Sequence, residues 1–264
     1  MLITWEMDRW CFDLAPLVSS EHTVIRHLRK EWRLLSERWL ALATPAAFLL
    51  YGITFIARNI ASYRNCLVMH HGRLADAGFD LLPELPQSLK ELPHGLTLMS
   101  ACIAGGLCGV QLCRPKDGIY VTHILIRFGR VMTLGHAVRA LLYLSTSLPA
   151  PADHCIAGAL CFRPPSNWYD IFFGFYPKSC GDLLFSGHVL TTCVLTLVTQ
   201  RYAAQILGNG KVERGVRTTA WLLFAAVGPL IIAARNHYTV DVLAGYIISP
   251  LLWREYEAWF PTDT

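Results

Sequence analysis

Two short stretches of this chain hold residue types that could do covalent chemistry on a phosphorus atom. The first is Cys-Gly-Asp-Leu-Leu-Phe-Ser-Gly-His at 180–188, and the second is His-Tyr-Thr-Val-Asp at 237–241. Each lies at an end of a hydrophobic segment, so His188, His237 and Asp241 could meet at one membrane surface. A nucleophilic imidazole, its carboxylate partner and a second imidazole suit attack on a lipid phosphodiester.

The spacing of the second stretch predicts a role for each of these side chains. His237 and Asp241 are four residues apart, which on a helix places them on one side. The carboxylate can then hold the imidazole in the tautomer whose other nitrogen is free to attack, and His188 remains as acid and base. The nine cysteines are not spaced as paired Cys-x-x-Cys clusters, so we expect neither a metal nor a cofactor.

The residues before the first histidine predict a phosphate-binding site. Asp182 or Ser186 can cap a helix that starts here, Gly187 lets the backbone come close, and free N–H groups at a helix start attract phosphate oxygens. Arg127 and Arg139, inside an earlier apolar segment, are further candidate clamps because guanidinium groups bind phosphate at two points. The alternative for Arg139, and for the neighbouring Arg130, is a structural side chain that reaches toward the membrane surface.

Composition predicts an integral membrane protein. Of the 264 residues, 53% are hydrophobic and 16% are charged, and the mean hydropathy is +0.37, outside the usual mix of a soluble domain. The first twenty residues lack a basic start followed by an apolar run, so we expect no cleavable signal peptide. A net charge of +4, without a basic stripe interleaved with aromatics, argues against a nucleic-acid partner.

Six apolar segments come near the length that crosses a bilayer. The expected fold class is therefore all-α, a polytopic membrane protein with six transmembrane helices. The spans are predicted at 39–57, 96–113, within 119–148, and at 183–200, 216–234 and 238–253. The corresponding domains are a cytosolic N-terminal segment (1–38), a six-span catalytic membrane domain (39–254) and a short cytosolic tail (255–264).

Basic residues set the expected orientation. They concentrate before the first span, between the second and third, and between the fourth and fifth, and the positive-inside rule makes these three connections cytoplasmic. Both motifs then face the lumen or the exterior. Cys155, Cys161 and Cys180 fall in a loop on that face, where a disulfide is chemically permitted, and we predict one bridge with its pair left open.

The other eight histidines are interpreted as polar tips at the membrane surface, because the sequence offers none of them a partner. They are His22, His27, His70, His71, His94, His123, His136 and His154. A structural alternative also exists for the motif histidines. His188 would be an interfacial residue beside a glycine hinge, and His237 would bind Asp241 to let a helix start inside the membrane.

At these residues the chain resembles the sphingolipid synthase family, which includes sphingomyelin synthases and the inositol phosphorylceramide synthases of plants and protozoa. Residues 180–188 and 237–242 look like the third and fourth motifs of that family. Asp-Ala-Gly-Phe-Asp-Leu-Leu-Pro-Glu-Leu at 76–85 resembles the first motif in its plant form. The residues that resemble the second motif are Arg127, Arg139, Tyr143, Ser145, Thr146, Leu148, Pro149 and Pro151, ahead of His154 and Cys155.

The resemblance, which covers roughly residues 50–254, implies a function. Such enzymes move a phosphorylated headgroup from a glycerophospholipid donor to ceramide and release diacylglycerol, with His188, His237 and Asp241 as the catalytic triad. It further implies a Golgi location, with the endoplasmic reticulum or plasma membrane as alternatives, and it is compatible with an oligomer. Val189 replaces the threonine usual in sphingomyelin synthases, and Ser-Gly-His differs from the Ser-Ser-His common in plant enzymes. The headgroup, inositol, choline or ethanolamine, therefore stays open.

Two other functions remain as alternatives. A lipid phosphate phosphatase uses similar His and Asp chemistry with water as acceptor, but it carries an arginine several residues before the last histidine. Here Arg235 lies only two positions before His237, and the Arg-Pro steps are at 114–115 and 163–164. A catalytically idle lipid-binding membrane protein is the second alternative, although a binder needs no nucleophile with an orienting carboxylate.

Overall fold

The described part of the chain folds into α-helices joined by loops. The computed structural model describes residues 14–42, 45–68, 72–155, 165–174 and 179–259, and no strand occurs within them. The prediction of an all-α fold is therefore confirmed. In chain order the helices are α1 (Leu14–Leu42), α2 (Pro45–Val68), α3 (Ala77–Leu81), α4 (Leu92–Cys113), α5 (Val121–Ser145), α6 (Trp168–Phe173), α7 (Gly187–Leu207), α8 (Lys211–Ala233) and α9 (Thr239–Trp259).

Five of the six predicted spans each correspond to one long helix, whereas the first, predicted at 39–57, includes the last residues of α1 and the first part of α2. Helix α2 begins at Pro45, a residue that suits a first helical position, and continues eleven residues past 57. Two polar residues in this extension bind carbonyl groups of the loop and helix opposite. Arg64 donates to the carbonyl of Leu144, and Asn65 donates to that of Leu148.

Apolar side chains cover the outside of these helices. Leu98 on α4, Leu222 on α8 and Ile247 on α9 are 59–64% exposed. Among the described residues, two helical segments are long and apolar enough to cross a membrane, Gln87–Cys113 and Lys211–Ala233. Large exposed apolar surfaces are rare on soluble monomers, so this distribution is typical of a protein that lies in lipid.

Helix α7 lies at the centre of the bundle and packs against α4, α5, α8 and α9. Its Leu190 is fully buried in a cluster with Val131 of α5 and Trp253 of α9. Helix α9 approaches closely at Gly245, where a Cβ atom would lie 2.8 Å from the Cβ of Val189. The first turn of α7 is therefore fixed relative to α9.

A buried carboxylate joins α1 to the start of α5. Glu31 accepts hydrogen bonds from the N–H groups of Val121 at 2.6 Å and Thr122 at 3.1 Å, which α5 cannot satisfy internally. His27 lies 3.3 Å from the same carboxylate and stacks on the ring of Tyr120. The interpretation of His27 as an isolated polar tip is therefore wrong.

Gly181 generates a prediction about stability. A Cβ atom at this position would lie 2.1 Å from the carbonyl carbon of Ala61 in α2, so Gly181→Ala must push two main chains apart. We expect a loss of about 1–3 kcal/mol in the free energy of unfolding, seen as a lower melting temperature of the detergent-solubilised protein. Gly105→Ala on α4 is the control, because its new methyl group meets nothing within 4 Å. Equal melting temperatures for the two variants would contradict the packing argument.

Candidate active site

The second motif forms a hydrogen-bonded pair where α9 begins. His237 Nδ1 lies 3.0 Å from Asp241 Oδ2, and the two residues are 8% and 0% exposed. A carboxylate only accepts hydrogen bonds, so it favours the imidazole tautomer that carries its proton on Nδ1. That tautomer leaves Nε2 of His237 with a free electron pair, as a nucleophile requires.

Asp241 also binds the loop that carries the first motif. Its Oδ1 accepts the N–H of Leu184 at 2.8 Å, and its main-chain oxygen accepts the N–H of Ser186 at 3.0 Å. Leu184 has a φ of 72°, a left-handed conformation that is unfavourable for leucine, and the bond to Asp241 helps to hold it. His188 follows Ser186 by two residues, so it lies at the same end of the bundle as His237.

A third helix contributes a histidine that the sequence interpretation treated as an isolated polar tip. The ring of His94, in the first turn of α4, meets the ring of His188 edge-on, with centroids 6.0 Å apart and planes at 81°. His136 likewise has a partner, since its Nδ1 lies 3.2 Å from Arg139 Nη1. The interpretation is therefore wrong for both residues, while His70 and His71 lie outside the described residues.

Arg139 lies directly against the start of α7. Its Nε donates to the carbonyl of Phe185 at 2.7 Å, and its Nη2 lies 3.2 Å from Asp182 Oδ2. The guanidinium packs on Gly187, where a Cβ atom would lie 3.0 Å from its central carbon. Burial raises the pKa of Asp182, but the positive charge of Arg139 and a hydrogen bond from the Ser179 side chain lower it, and this pKa lies below its ordinary value.

Ser186 occupies the cap position of α7 without capping the helix through its side chain. The residue is fully buried, and its Oγ has no hydrogen-bond partner among the described residues. Asp182 is bound to Arg139 instead, so neither residue forms the expected side-chain cap. The start of α7 thus combines the N–H groups of a first helical turn, a buried hydroxyl and a guanidinium, all of them groups that bind phosphate oxygens.

Arg127 lies at the opposite end of α5 from Arg139. Twelve residues separate the two arginines, which corresponds to about 18 Å along a helix axis. Arg127 Nη1 lies 3.2 Å from Glu257 Oε1, and its guanidinium lies over the ring of Trp253. Glu257 also pairs with Arg201 at 2.7 Å. The structure does not bring Arg127 to the other predicted residues, so the expectation of two arginine clamps at one site is wrong for Arg127. For Arg139 the phosphate-binding role stays a prediction.

The stretch at 76–85 clamps the start of α9. Asp76 Oδ1 accepts hydrogen bonds from the Thr239 hydroxyl at 2.6 Å and from the N–H of Gly78 at 3.0 Å. Its Oδ2 accepts the N–H of Thr239 at 2.9 Å. One carboxylate therefore caps two helices. The α3 cap has a local signal, since Asp76 precedes a short helical pattern, but the α9 cap joins residues 163 positions apart and has no signal in the sequence.

Residues on either side of the buried histidine bind the other motifs. The hydroxyl of Tyr238 donates to the carbonyl of Pro149 at 2.8 Å, in the second motif. Arg235, with a φ of 58°, donates to the carbonyls of Phe79 at 3.1 Å and Leu82 at 3.0 Å and stacks over the Phe79 ring. The guanidinium of Arg235 is thus bound by the first motif.

A disulfide joins the second and third motifs. Of the three candidate cysteines, Cys155 and Cys180 form the bridge, with Cα atoms 5.6 Å apart, and Cys161 lies outside the described residues. The prediction of one bridge in this loop is confirmed and its pair is established. Ser62 of α2 adds a hydrogen bond of 3.0 Å to Ser179, immediately before the bridge. These links hold the loop that leads into α7.

Asp76 generates a prediction about the assembly of this site. Asp76→Asn places an amide NH₂ group where four donors converge on a carboxylate, so at least one partly buried N–H loses its acceptor. We expect a loss of about 1–3 kcal/mol in the free energy of unfolding, measured by thermal melting in detergent. Asp80→Asn, the same change at an exposed position four residues on, is the control and should melt like the parent. A parent-like melting temperature for Asp76→Asn would contradict the argument that this carboxylate stabilises the starts of α3 and α9.

Comparisons with known proteins bear on the family. Residues 179–258 match the family model described as PAP2 superfamily C-terminal. Phosphatidylinositol:ceramide inositolphosphotransferase 3 of Arabidopsis thaliana is 28% identical over 250 residues, which cover 91% of this chain and 78% of that protein. Phosphatidylinositol:ceramide inositolphosphotransferase of Oryza sativa subsp. indica is 27% identical over 232 residues, 84% of this chain and 66% of that protein. Sphingomyelin synthase-related 1 of Caenorhabditis elegans is 33% identical over 208 residues, 73% of this chain and 41% of that protein.

The matches include the motif residues, and the related proteins carry the names of the family that these motifs resemble. The family model begins one residue before the disulfide cysteine of the third motif and ends within α9, so it contains all three residues of the predicted triad. The plant relatives extend the similarity to most of the remaining chain. The predicted relationship is therefore confirmed, and the chain is a relative of the sphingolipid synthases with a PAP2 superfamily C-terminal portion.

Proposed function

We propose that this chain is a ceramide phosphotransferase, which moves a phosphorylated headgroup from a glycerophospholipid to ceramide and releases diacylglycerol. The observation that carries the proposal is the buried hydrogen bond between His237 Nδ1 and Asp241, at the same end of the bundle as His188 and Arg139. Several relatives carry names of ceramide phosphotransferases, which supports this substrate class.

The first half of the proposed reaction transfers the headgroup to the protein. His237 Nε2 attacks the donor phosphorus, the bond between phosphorus and the diacylglycerol oxygen breaks, and His188 gives its proton to that oxygen. Asp241 stabilises the positive charge that develops on the His237 ring. The products of this half are diacylglycerol and a phosphohistidine that carries the headgroup.

The second half transfers the headgroup to ceramide. His188, now neutral, takes the proton of the primary ceramide hydroxyl, and the resulting oxygen attacks the phosphohistidine. The P–N bond breaks and His237 returns to its starting state. Two bulky lipids can therefore use one pocket in turn, provided that water is excluded from the intermediate.

The phosphate would be held at the start of α7. Arg139 Nε and Nη2 bind Phe185 and Asp182, and the guanidinium face lies against Gly187, so this cation is fixed within reach of the first helical turn. The buried Ser186 hydroxyl supplies a further donor. We assign Asp182 the role of orienting Arg139, because a carboxylate repels a phosphodiester.

Six transmembrane helices are part of the proposal. The spans correspond to α2, α4, α5, α7, α8 and α9, with the segment before α2 and the C-terminal tail in the cytosol. The motifs then face the lumen or exterior, which agrees with the disulfide between Cys155 and Cys180 because that compartment is oxidising. A Golgi membrane is the proposed location.

We propose phosphatidylinositol as the donor. The two plant relatives that cover 91% and 84% of this chain are both named for phosphatidylinositol and ceramide.

The contacts of Arg235 favour transfer over hydrolysis. Its guanidinium donates to carbonyl groups of the first motif, so it is not available to bind the phosphate of a monoester lipid. Hydrolysis to free phosphate is therefore the less favoured reaction.

The triad generates a prediction about rate. His237→Ala and His188→Ala should each lower headgroup transfer at least about a thousandfold, because a nucleophile or a proton donor is lost. Asp241→Asn should lower it at least about a hundredfold, because an amide does not select the Nδ1–H tautomer. The assay is transfer to labelled ceramide by purified protein in mixed micelles. His123→Gln, in the first turn of α5 at the opposite end of the bundle, is the control and should keep the parent rate.

The intermediate and the donor generate a second prediction for this reaction. With phosphatidylinositol, phosphatidylcholine or phosphatidylethanolamine offered in turn, we expect product chiefly from phosphatidylinositol. Initial rates at varied donor and acceptor should give parallel double-reciprocal lines, as a covalent intermediate requires. Label from the donor headgroup should stay on the parent protein in an acid-labile form when ceramide is withheld, and it should be absent from His237→Ala. Intersecting lines would contradict the two-step scheme, and free phosphate from a monoester lipid would favour the phosphatase.

A further inference from the structure

Helix α1 has an exposed apolar surface that the proposed reaction does not explain. Over residues 23–37, one side of the helix packs on the bundle through the buried His27 and Glu31. The rest of the helix surface is exposed, and three large apolar side chains lie on it beside the docked side, at spacings of three and four residues. They are Ile25, Leu28 and Trp32, which are 40%, 44% and 71% exposed.

Two arginines border this apolar strip. Arg29 and Arg33 line one shallow groove together with the three apolar side chains and Ser36. Arg26 and Lys30 are also exposed, but they lie outside the groove. With 3.6 residues per turn, Lys30 points about 160° away from Trp32 around the helix axis. The helix therefore has a docked side, an apolar strip and a basic side, in that order around its axis.

The charge of the open surface is strongly positive. Residues 23–37 contain four basic residues and two acidic ones. Glu31 is turned inward to bind the start of α5, which leaves Glu37 as the acidic residue on the exposed surface. Four positive charges and one negative charge give this surface a net charge of +3. A partner of opposite charge with an apolar layer beneath it would match both parts of the surface.

We propose that the apolar strip of α1, with Arg29 and Arg33, binds anionic phospholipid at the cytosolic surface of the membrane. An amphipathic helix with aromatic and aliphatic residues on one side and arginines beside them is typical of helices that lie in the lipid interface. Ile25, Leu28 and Trp32 would enter the boundary of the acyl chains. Arg29 and Arg33, one helical turn apart, would bind phosphate groups through two-point hydrogen bonds.

This lipid site is separate from the reaction site. Glu31 attaches α1 to the first residues of α5, whereas Arg139, which contacts the start of α7, lies on the last third of the same helix. The proposal rests on the proposed function only for its orientation, which places α1 at the cytosolic leaflet. Loss of this lipid site should therefore leave headgroup transfer in detergent unchanged.

The test compares hydrogen exchange of the full chain in lipid nanodiscs made of phosphatidylcholine alone or with about one third phosphatidylserine. We expect the amides of residues 23–37 to exchange more slowly when phosphatidylserine is present, by roughly fivefold for each arginine engaged. High salt should remove the difference, because it screens charges at a surface. The double variant Arg29→Gln with Arg33→Gln should lose the protection.

A matched double variant controls for charge. Arg26→Gln with Lys30→Gln removes the same charge from the same helix but outside the groove, and it should keep most of the protection. Trp32→Ser tests the apolar strip and should weaken protection in both membranes. Exchange at Val121 and Thr122, whose N–H groups are bound by Glu31, reports whether α1 is still docked in each variant.

Three results would overturn the proposal. The first is equal exchange of residues 23–37 with and without phosphatidylserine, and the second is equal loss of protection in the two double variants. The third is protection of residues 23–37 in detergent, without lipid, that increases with protein concentration. The last result would assign the strip to contact with a second copy of the chain. Headgroup transfer is assayed on the same samples in detergent, so a defect in the reaction is distinguished from a defect in lipid binding.

Discussion

One buried carboxylate, that of Asp241, determines how the rest of the site is arranged. It accepts hydrogen bonds from the side chain of His237 and from the N–H groups of Tyr238 and Leu184, and it is fully shielded from solvent. A buried carboxylate without such donors is very unfavourable, so the loop before α7 and the turn before α9 must approach each other. The same bonds that stabilise the charge therefore bring the two motifs together.

Most of the other motif residues satisfy polar groups at helix ends. Asp76 accepts from Thr239, and Tyr238 donates to Pro149, so the first and second motifs both attach to the turn that carries His237. In an apolar environment each unsatisfied backbone group costs several kcal/mol. The His-Tyr-Thr-x-Asp pattern thus combines the proposed nucleophile with three residues that bind the surrounding segments.

The sequence predicts the helices well and the site in part. Apolar segments locate six long helices, because residues that pack inside the bundle or face lipid are mostly apolar. The spacing of His237 and Asp241 predicts their hydrogen bond, but His237 lies in the turn before α9 and not on the helix that the spacing assumed. Nothing local distinguishes Arg127 from Arg139, because both lie on the inside of α5 and only the neighbours at each end differ. The ring contact between His94 and His188 joins residues on different helices and has no signal in either segment.

The distribution of these residues along the chain has a consequence for how such enzymes can diverge. His188, His237 and Asp241 all lie within the portion matched as PAP2 superfamily C-terminal, whereas Asp76, Pro149 and Arg139 come from the part of the chain before it. The three proposed catalytic residues and these three residues, which bind the segments that carry them, are thus encoded in separate stretches. Under the proposed mechanism, substitutions before residue 179 can change the surroundings of the headgroup or the acceptor without changing the triad itself.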